Sequence, residues 1–196
     1  MKKLTILIAL FSVTVAAVVY VLFQPGPKTA TSTQQPKIQP IVAGTNNAFQ
    51  QAMAANLDGY YQLKDALVQS NVKAASTAAT SLLPILNTLD ISTIQADSVL
   101  LQMAAELKQT ITTQCSAVAA APNLDQQRQQ FQTLSDAFFD LLRATKYKGS
   151  KVYQQYCPMA FNNSGAAWLS NSPDVVNPYF GEAMLNCGEV RDSLRQ

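Results

Sequence analysis

Apolar residues recur every three or four positions across the middle of this chain, and this spacing restricts the fold more than any other sequence feature. The first such stripe lies between residues 46 and 69, and three more begin near Asn71, Ser92 and Asn123. This repeat places apolar side chains on one face of a helix. The four stripes comprise Phe49, Met53, Leu57, Tyr60, Leu63 and Leu67; Ala75, Ala79, Leu82, Leu86 and Leu89; Leu100, Ala104, Leu107, Ile111, Cys115 and Val118; and Leu124, Phe131, Leu134, Phe138 and Leu141.

The connections between the stripes are short, which predicts antiparallel neighbouring helices. Asn71 is a residue type that caps helix N-termini, and Pro84 predicts a kink in the second helix. We therefore expect an all-α domain over residues 45–196. Its helices, at 45–148, form an up-down four-helix bundle, and an irregular loop segment at 149–196 packs on it.

The N-terminus predicts a membrane anchor. Lys2 and Lys3 precede an uncharged run of twenty residues, 4–23, and at about 1.5 Å per residue a helix of this length spans roughly 30 Å of bilayer. The run ends in a poor cleavage site, so we favour an uncleaved signal anchor at 1–23; the alternative is a cleaved signal peptide and secretion. Positive charges stay in the cytoplasm. We therefore expect a single-pass inner-membrane protein whose domain stands in the periplasm on a Pro-, Thr- and Gln-rich linker at 24–44.

Charge and composition exclude several classes of function. Residues 41–196 carry 10 basic and 12 acidic side chains, although the whole chain has a formal charge of +2. A nucleic-acid-binding surface requires an excess of positive charge, which these residues lack. No nucleic acid is therefore expected as a partner. The sequence has no histidine and no Cys-x-x-Cys motif, and Asp136 and Asp140 indicate a solvated helix face. We therefore expect no enzymatic activity.

Two mirrored sulfur pairs mark the C-terminal segment, where the helical spacing stops. Cys157-x-Met159 opens it and Met184-x-x-Cys187 closes it. If the segment folds back, two thiols and two thioethers converge, and soft sulfur ligands select Cu(I) or Ag(I). The alternative is a Cys157–Cys187 disulfide, which closes a loop of 31 residues and stabilises the fold by about 3–4 kcal/mol. The methionines then fill the core.

The remaining aromatic and sulfur residues have structural interpretations. Trp168, Tyr179 and Phe180 are expected to support the C-terminal loop, and an aromatic loop is also typical of a contact surface for a protein partner. Cys115 lies on an apolar stripe and is expected to be a buried thiol. The alternative function is therefore a structural or interaction module whose loop is stapled by the disulfide.

Three strings in the C-terminal segment resemble an uncharacterised bacterial domain family. They are Tyr156-Cys-Pro-Met-Ala-Phe-Asn-Asn-Ser-Gly-Ala-Ala-Trp-Leu-Ser, Asn177-Pro-Tyr-Phe-Gly and Met184-Leu-Asn-Cys-Gly-Glu-Val, and Tyr60-Tyr61-Gln-Leu-Lys-Asp-Ala-Leu resembles the family's opening. The resemblance covers residues 48–192. This family occurs alone in exported proteins, mainly of Bacteroidetes, and appended to periplasmic adaptor subunits of copper/silver efflux systems.

The resemblance implies soft-metal handling. By position, it implies Cys157, Met159, Met184 and Cys187 as ligands of Cu(I) or Ag(I). It also implies a metal-efflux complex, or another envelope protein, as a partner.

Overall fold

The computed structural model describes residues 44–194. The predicted signal anchor and all of the predicted linker except Gly44 lie outside these residues. Within the described part of the chain, no helix is long and apolar enough to cross a membrane. The elements, in order, are α1 (Asn47–Val68), α2 (Val72–Asn87), a 3-10 turn (Ile91–Thr93), α3 (Ser98–Ala120), α4 (Leu124–Ala144), β1 (Val152–Cys157), a short turn (Ala160–Asn163), β2 (Ala166–Ser170), a second 3-10 turn (Gly181–Met184) and β3 (Glu189–Leu194).

Each of the four long helices begins at a side chain that accepts a hydrogen bond from a backbone N–H of the first turn. The four capping residues are Asn46, Asn71, Asp97 and Asn123. Each cap satisfies one of the N–H groups that a helix leaves unpaired at its start. The expected starts near residues 46, 71 and 123 are therefore confirmed.

The expected start of the third helix near Ser92 is wrong. The Asp90 carboxylate accepts hydrogen bonds from the Ser92 backbone N–H, at 2.9 Å, and from the Ser92 hydroxyl, at 2.7 Å. This cap begins only the 3-10 turn. Helix α3 begins at Ser98 instead, because the Asp97 side chain accepts a hydrogen bond from the Leu100 N–H at 2.7 Å.

The apolar stripes form the core. All of their residues are buried except Leu100, Leu107 and Leu124, which are half-buried. Helix α2 packs between α1 and α3, and α3 packs on α4. Cys115 is fully buried and its thiol donates to the Ala79 carbonyl at 3.1 Å. Burial raises the pKa of this thiol to about 12, so the expectation of a buried structural thiol is confirmed.

The expected irregular loop at 149–196 is in fact built around a small sheet, so the all-α prediction is wrong in this part. The three strands are antiparallel in the order β2-β1-β3. Their side chains do not alternate cleanly between buried and exposed. Strand β3 is mostly exposed, and the register between β1 and β3 shifts at Gln154/Gln155. A strand without alternation carries little period-two signal in its sequence.

Two tyrosine hydroxyls cover the edge of β2 that does not pair with β1. The Leu169 N–H donates to the Tyr60 hydroxyl at 3.0 Å, and the Tyr179 hydroxyl donates to the Ala167 carbonyl. Tyr60 is fully buried, and its hydroxyl lies 2.7 Å from that of Ser135 on α4. A single side chain of α1 therefore connects α4 to the sheet.

Replacing Tyr60 with phenylalanine should destabilise the protein by about 1–3 kcal/mol, because the buried Leu169 N–H loses its acceptor. Urea unfolding followed by circular dichroism measures this loss. The control is Tyr61→Phe, which leaves both Tyr60 hydrogen bonds in place. Equal stability of Tyr60→Phe and wild type would show that the sheet edge does not depend on this hydroxyl.

Stability should fall as the pH rises from about 4 to 6, because of Asp136. Partial desolvation by neighbouring groups first, and the negative charge of Asp140 second, raise the pKa of Asp136 from 3.8 to about 6, although the residue keeps contact with solvent. In this window the folded protein keeps a proton that the unfolded chain has lost, so raising the pH favours unfolding.

The change Asp136→Asn should therefore increase stability at pH 7. The side chain is exposed, and screening by water should keep the gain below about 1 kcal/mol. Thermal unfolding between pH 4 and 7 measures it, with the exposed carboxylate change Glu106→Gln as control. Identical pH dependence of wild type and Asp136→Asn would contradict the assignment.

Candidate metal site

The sheet brings the first and last predicted ligands together. Strand β1 ends at Cys157, and its partner strand β3 begins two residues after Cys187. Because Tyr156 pairs with Glu189 in an antiparallel register, the chain before β3 returns to the end of β1. The two cysteine side chains are therefore neighbours, and both cysteines are free. The C-terminal segment therefore folds back and brings these two residues together.

The two thiols differ in their access to solvent. Cys157 is fully buried, whereas Cys187 is half-buried. The hydrogen bond to Cys157 is the main cause that raises the pKa of the Cys187 thiol, and desolvation and charge repulsion act in the same direction. A hydrogen bond from the Met159 backbone N–H acts in the opposite direction. A metal ion bound here must therefore displace protons from the thiols.

Gly188 allows the chain to pass close to β1 directly after Cys187. Its φ is +146°, and a Cβ atom here would lie 2.8 Å from the Tyr156 carbonyl oxygen and 2.9 Å from the Trp168 ring. Both contacts are too close for a side chain. Glycine at this position therefore lets Cys187 lie beside Cys157.

Asn177 fixes the loop that carries Cys187. Its side-chain Nδ2 donates to the Cys187 carbonyl at 2.8 Å, and its Oδ1 accepts from the Tyr179 N–H at 2.8 Å. Its backbone N–H donates to the Leu185 carbonyl, and its carbonyl accepts from the Gly181 N–H. Asn177 is fully buried, so these bonds form without competition from water.

Arg128 attaches the same loop to the helices. Its Nε donates to the Pro178 carbonyl at 2.8 Å, and its Nη2 donates to the Ser70 hydroxyl at 3.0 Å and to the Leu67 carbonyl at 3.3 Å. One guanidinium of α4 therefore holds both the end of α1 and the loop. Desolvation lowers the pKa of Arg128, but an arginine remains charged at neutral pH.

The two methionines lie on the wall of a cavity of about 510 Å³. The start of α4 contributes Asp125 and Arg128 to this wall, and Phe180 lies on the loop side. The lining includes Met159 and Met184 and neither cysteine. The two thiols are therefore neighbours, and the two thioethers line a common cavity. The expected convergence of all four sulfurs in a single site is not observed.

A left-handed turn forms part of the cavity wall. Phe161, Asn162 and Asn163 have φ values of 52°, 56° and 66°, and all three line the cavity. Asparagine tolerates this conformation, whereas for phenylalanine it costs roughly 1–2 kcal/mol. The ring of Phe161 packs edge-on against that of Tyr179, with their centroids 5.3 Å apart, and this contact helps to offset the cost.

The three aromatic residues expected to support the C-terminal loop differ in how deeply they are buried. Trp168 and Tyr179 are buried, and their rings meet edge-on with centroids 5.9 Å apart. Phe180 is half-buried.

Arg128 and Asn177 were not predicted as site residues. The Asn-Pro pair at 177–178 is a turn signal, but no sequence pattern indicates the four partners of Asn177.

Among residues 44–194, no group of three or more His, Cys, Asp and Glu side chains is placed to hold a metal ion. Among the described side chains, the candidate site consists of the Cys157–Cys187 thiol pair and the nearby cavity with Met159 and Met184.

Comparison with protein families finds similarity to one family model, described as "Protein of unknown function (DUF3347)", over residues 57–149. The match supports the resemblance to a domain of unknown function, and it includes most of α1 and all of α2, α3 and α4. It ends before β1, and therefore before all four predicted sulfur ligands. No curated protein and no solved structure matches the chain.

Replacing Asn177 with alanine should loosen the loop that carries Cys187. The Tyr179 N–H and the Cys187 carbonyl lose their partners, which should cost about 2 kcal/mol. Cys187 should also react faster with a maleimide. The control is Asn171→Ala at an exposed position, where a change within about 0.5 kcal/mol is expected. Unchanged reactivity in the Asn177 variant would contradict the role of this residue.

Proposed function

We propose that this protein is a membrane-tethered periplasmic binding domain that coordinates Cu(I) or Ag(I) through Cys and Met sulfurs. Residues 4–23 would anchor it in the inner membrane, and the helices would form an up-down four-helix bundle that supports the site. Its role would be to buffer the metal or to transfer it to an efflux complex or another envelope protein. The mechanism is ligand exchange, and no catalytic step is proposed.

The neighbouring free thiols of Cys157 and Cys187 are the observation that carries this proposal. Two adjacent thiolates provide two anionic soft ligands, and soft thiolate and thioether sulfurs select Cu(I). The pair is held in place from both sides, since Cys157 ends the central strand and Asn177 binds the Cys187 carbonyl. Such a preorganised pair needs little rearrangement to bind an ion.

The nearby thioethers support a soft ion rather than zinc. Met159 and Met184 line the adjacent cavity, and the chain has no histidine. Zinc sites in proteins use Cys, His, Asp and Glu ligands. The donor set of this site therefore fits a monovalent soft cation.

The same thiol pair also favours the alternative function, a structural or interaction module without metal. Oxidation would join Cys157 and Cys187 in a disulfide that staples β1 to the start of β3. Both thiolate ligands would then be lost. The redox state of the pair therefore separates the two functions.

Titration of the full chain with Cu(I), under anaerobic reducing conditions and against a competing chelator, tests the proposal. The reduced protein should bind one Cu(I) tightly, and Cys187→Ser should weaken binding by at least about 100-fold. This exceeds the 10–100-fold typical of outer-sphere partners, because a direct ligand is removed.

Cys115→Ser serves as the matched control. Cys115 is a buried thiol outside the site, and serine retains a donor for the Ala79 carbonyl, so this variant should bind Cu(I) like wild type. Circular dichroism should show that both variants remain folded. Failure of the reduced wild-type protein to bind Cu(I) would refute the metal-binding proposal and leave the disulfide-stapled module.

A further inference from the structure

The four predicted sulfur ligands fall into two sets with different surroundings. The thiol pair combines a fully buried residue, Cys157, with a half-buried one, Cys187. The thioethers of Met159 and Met184 lie on the wall of the 510 Å³ cavity, and the Met159 side chain is 47% exposed. Met159 is therefore the most exposed of the four sulfur residues, and Cys157 is the most buried.

The two sets also differ in how strongly they hold a cation. Thioether sulfur is neutral and soft, so it binds Cu(I) or Ag(I) without losing a proton and releases it readily. A thiolate is anionic and attracts the cation more strongly, but it must first lose its proton. A weak ligand that is exposed, Met159, beside a strong ligand that is fully buried, Cys157, is suited to capture followed by retention.

Backbone contacts join the cavity wall to the thiol pair. The Cys187 N–H donates to the Met184 carbonyl at 3.0 Å, and the Met159 backbone lies close enough to the Cys187 sulfur to lower the pKa of that thiol. The cavity wall and the thiol pair are therefore neighbours in the fold.

The charges on the cavity wall are compatible with a cation. Asp125 contributes a carboxylate at an exposed position. The positive charge of Arg128 opposes a cation, and the Asp125 carboxylate is the opposite charge that acts on Arg128. These two charges therefore offset each other on the cavity wall.

We propose that the cavity is an entry site, distinct from the retention site, in which Met159 and Met184 capture Cu(I) or Ag(I) and pass it to Cys157 and Cys187. This inference rests on the proposed function. During transfer the ion keeps its charge. Its bonds to thioether sulfur break as bonds to thiolate sulfur form, and each thiol proton passes to the buffer.

Methionine-methyl NMR of the full chain, purified in detergent, tests the entry site directly. In Cys187→Ser, Ag(I) should shift the methyl signals of Met159 and Met184. Met103 is the internal control because it is 43% exposed, close to the value for Met159, but does not line the cavity. Absent shifts at Met159 and Met184, or an equal shift at Met103, would overturn the proposal.

The double change Met159→Leu/Met184→Leu tests the division of roles. The thiol pair should keep its Cu(I) affinity within about threefold, while transfer of Cu(I) to a competing chelator should slow at least tenfold. Unchanged transfer rates would overturn the entry site. Loss of affinity would show instead that all four sulfurs form one site.

These results separate the two proposals. If the reduced wild-type chain binds no Cu(I), the proposed function fails and the entry site fails with it. If the wild type binds but the methionine variant exchanges at the same rate, only the entry site fails. Circular dichroism of each variant shows whether a lost signal reflects unfolding.

Discussion

The attachment of the sheet to the helices depends on the hydrogen bonds of the buried Tyr60 hydroxyl. It accepts the Leu169 N–H and lies within hydrogen-bonding distance of the Ser135 hydroxyl, which in turn donates to the Phe131 carbonyl at 2.8 Å. Such a chain of hydrogen bonds is cooperative in a dry interior. The Tyr60 ring also stacks on that of Phe131, with centroids 5.2 Å apart. Strand β2 is therefore fixed to the helices by both polar and apolar contacts.

This attachment determines where the thiol pair lies. Strand β2 is fixed to the helices, β1 pairs with β2, and β3 pairs with β1. The positions of β1 and β3 therefore both depend on β2. Cys157 is located by the first pairing, opposite Ala166. Cys187 is located by the second pairing and by Asn177. The two thiols are thus positioned by opposite ends of the C-terminal segment, and their proximity depends on the whole sheet.

The helices could be predicted because their signals are local. A stripe of apolar residues and a capping Asn or Asp lie within one element, and three of the four expected starts are correct. The error arose because Ser92 is not the capping residue: it donates to Asp90, and this cap begins only a 3-10 turn. Whether a capped turn continues depends on the residues beyond it, and α3 has its own cap at Asp97.

The sheet could not be predicted because its strands do not alternate between apolar and polar residues. Tertiary contacts determine the residue types in these strands instead. Gln155 lies in the central strand and is fully buried, although a strand pattern predicts an apolar residue there. Its Nε2 donates to the Ser172 and Asp174 carbonyls at 3.1 and 2.8 Å. These bonds hold the loop after β2, so the polar residue is required by a contact that no local pattern reveals.

The positions of the four sulfur residues could also be predicted only in part from the sequence. Their mirrored order indicated that all four sulfurs would converge if the segment folds back, and in the structure the two thiols are neighbours. The order did not predict that the thioethers line a separate cavity wall, because that depends on the left-handed turn after Met159 and on the Arg128 contact with Pro178. Both features direct the chain without changing the spacing of the sulfurs. Spacing therefore identifies which residues approach one another, whereas burial decides which of them an incoming ion meets first.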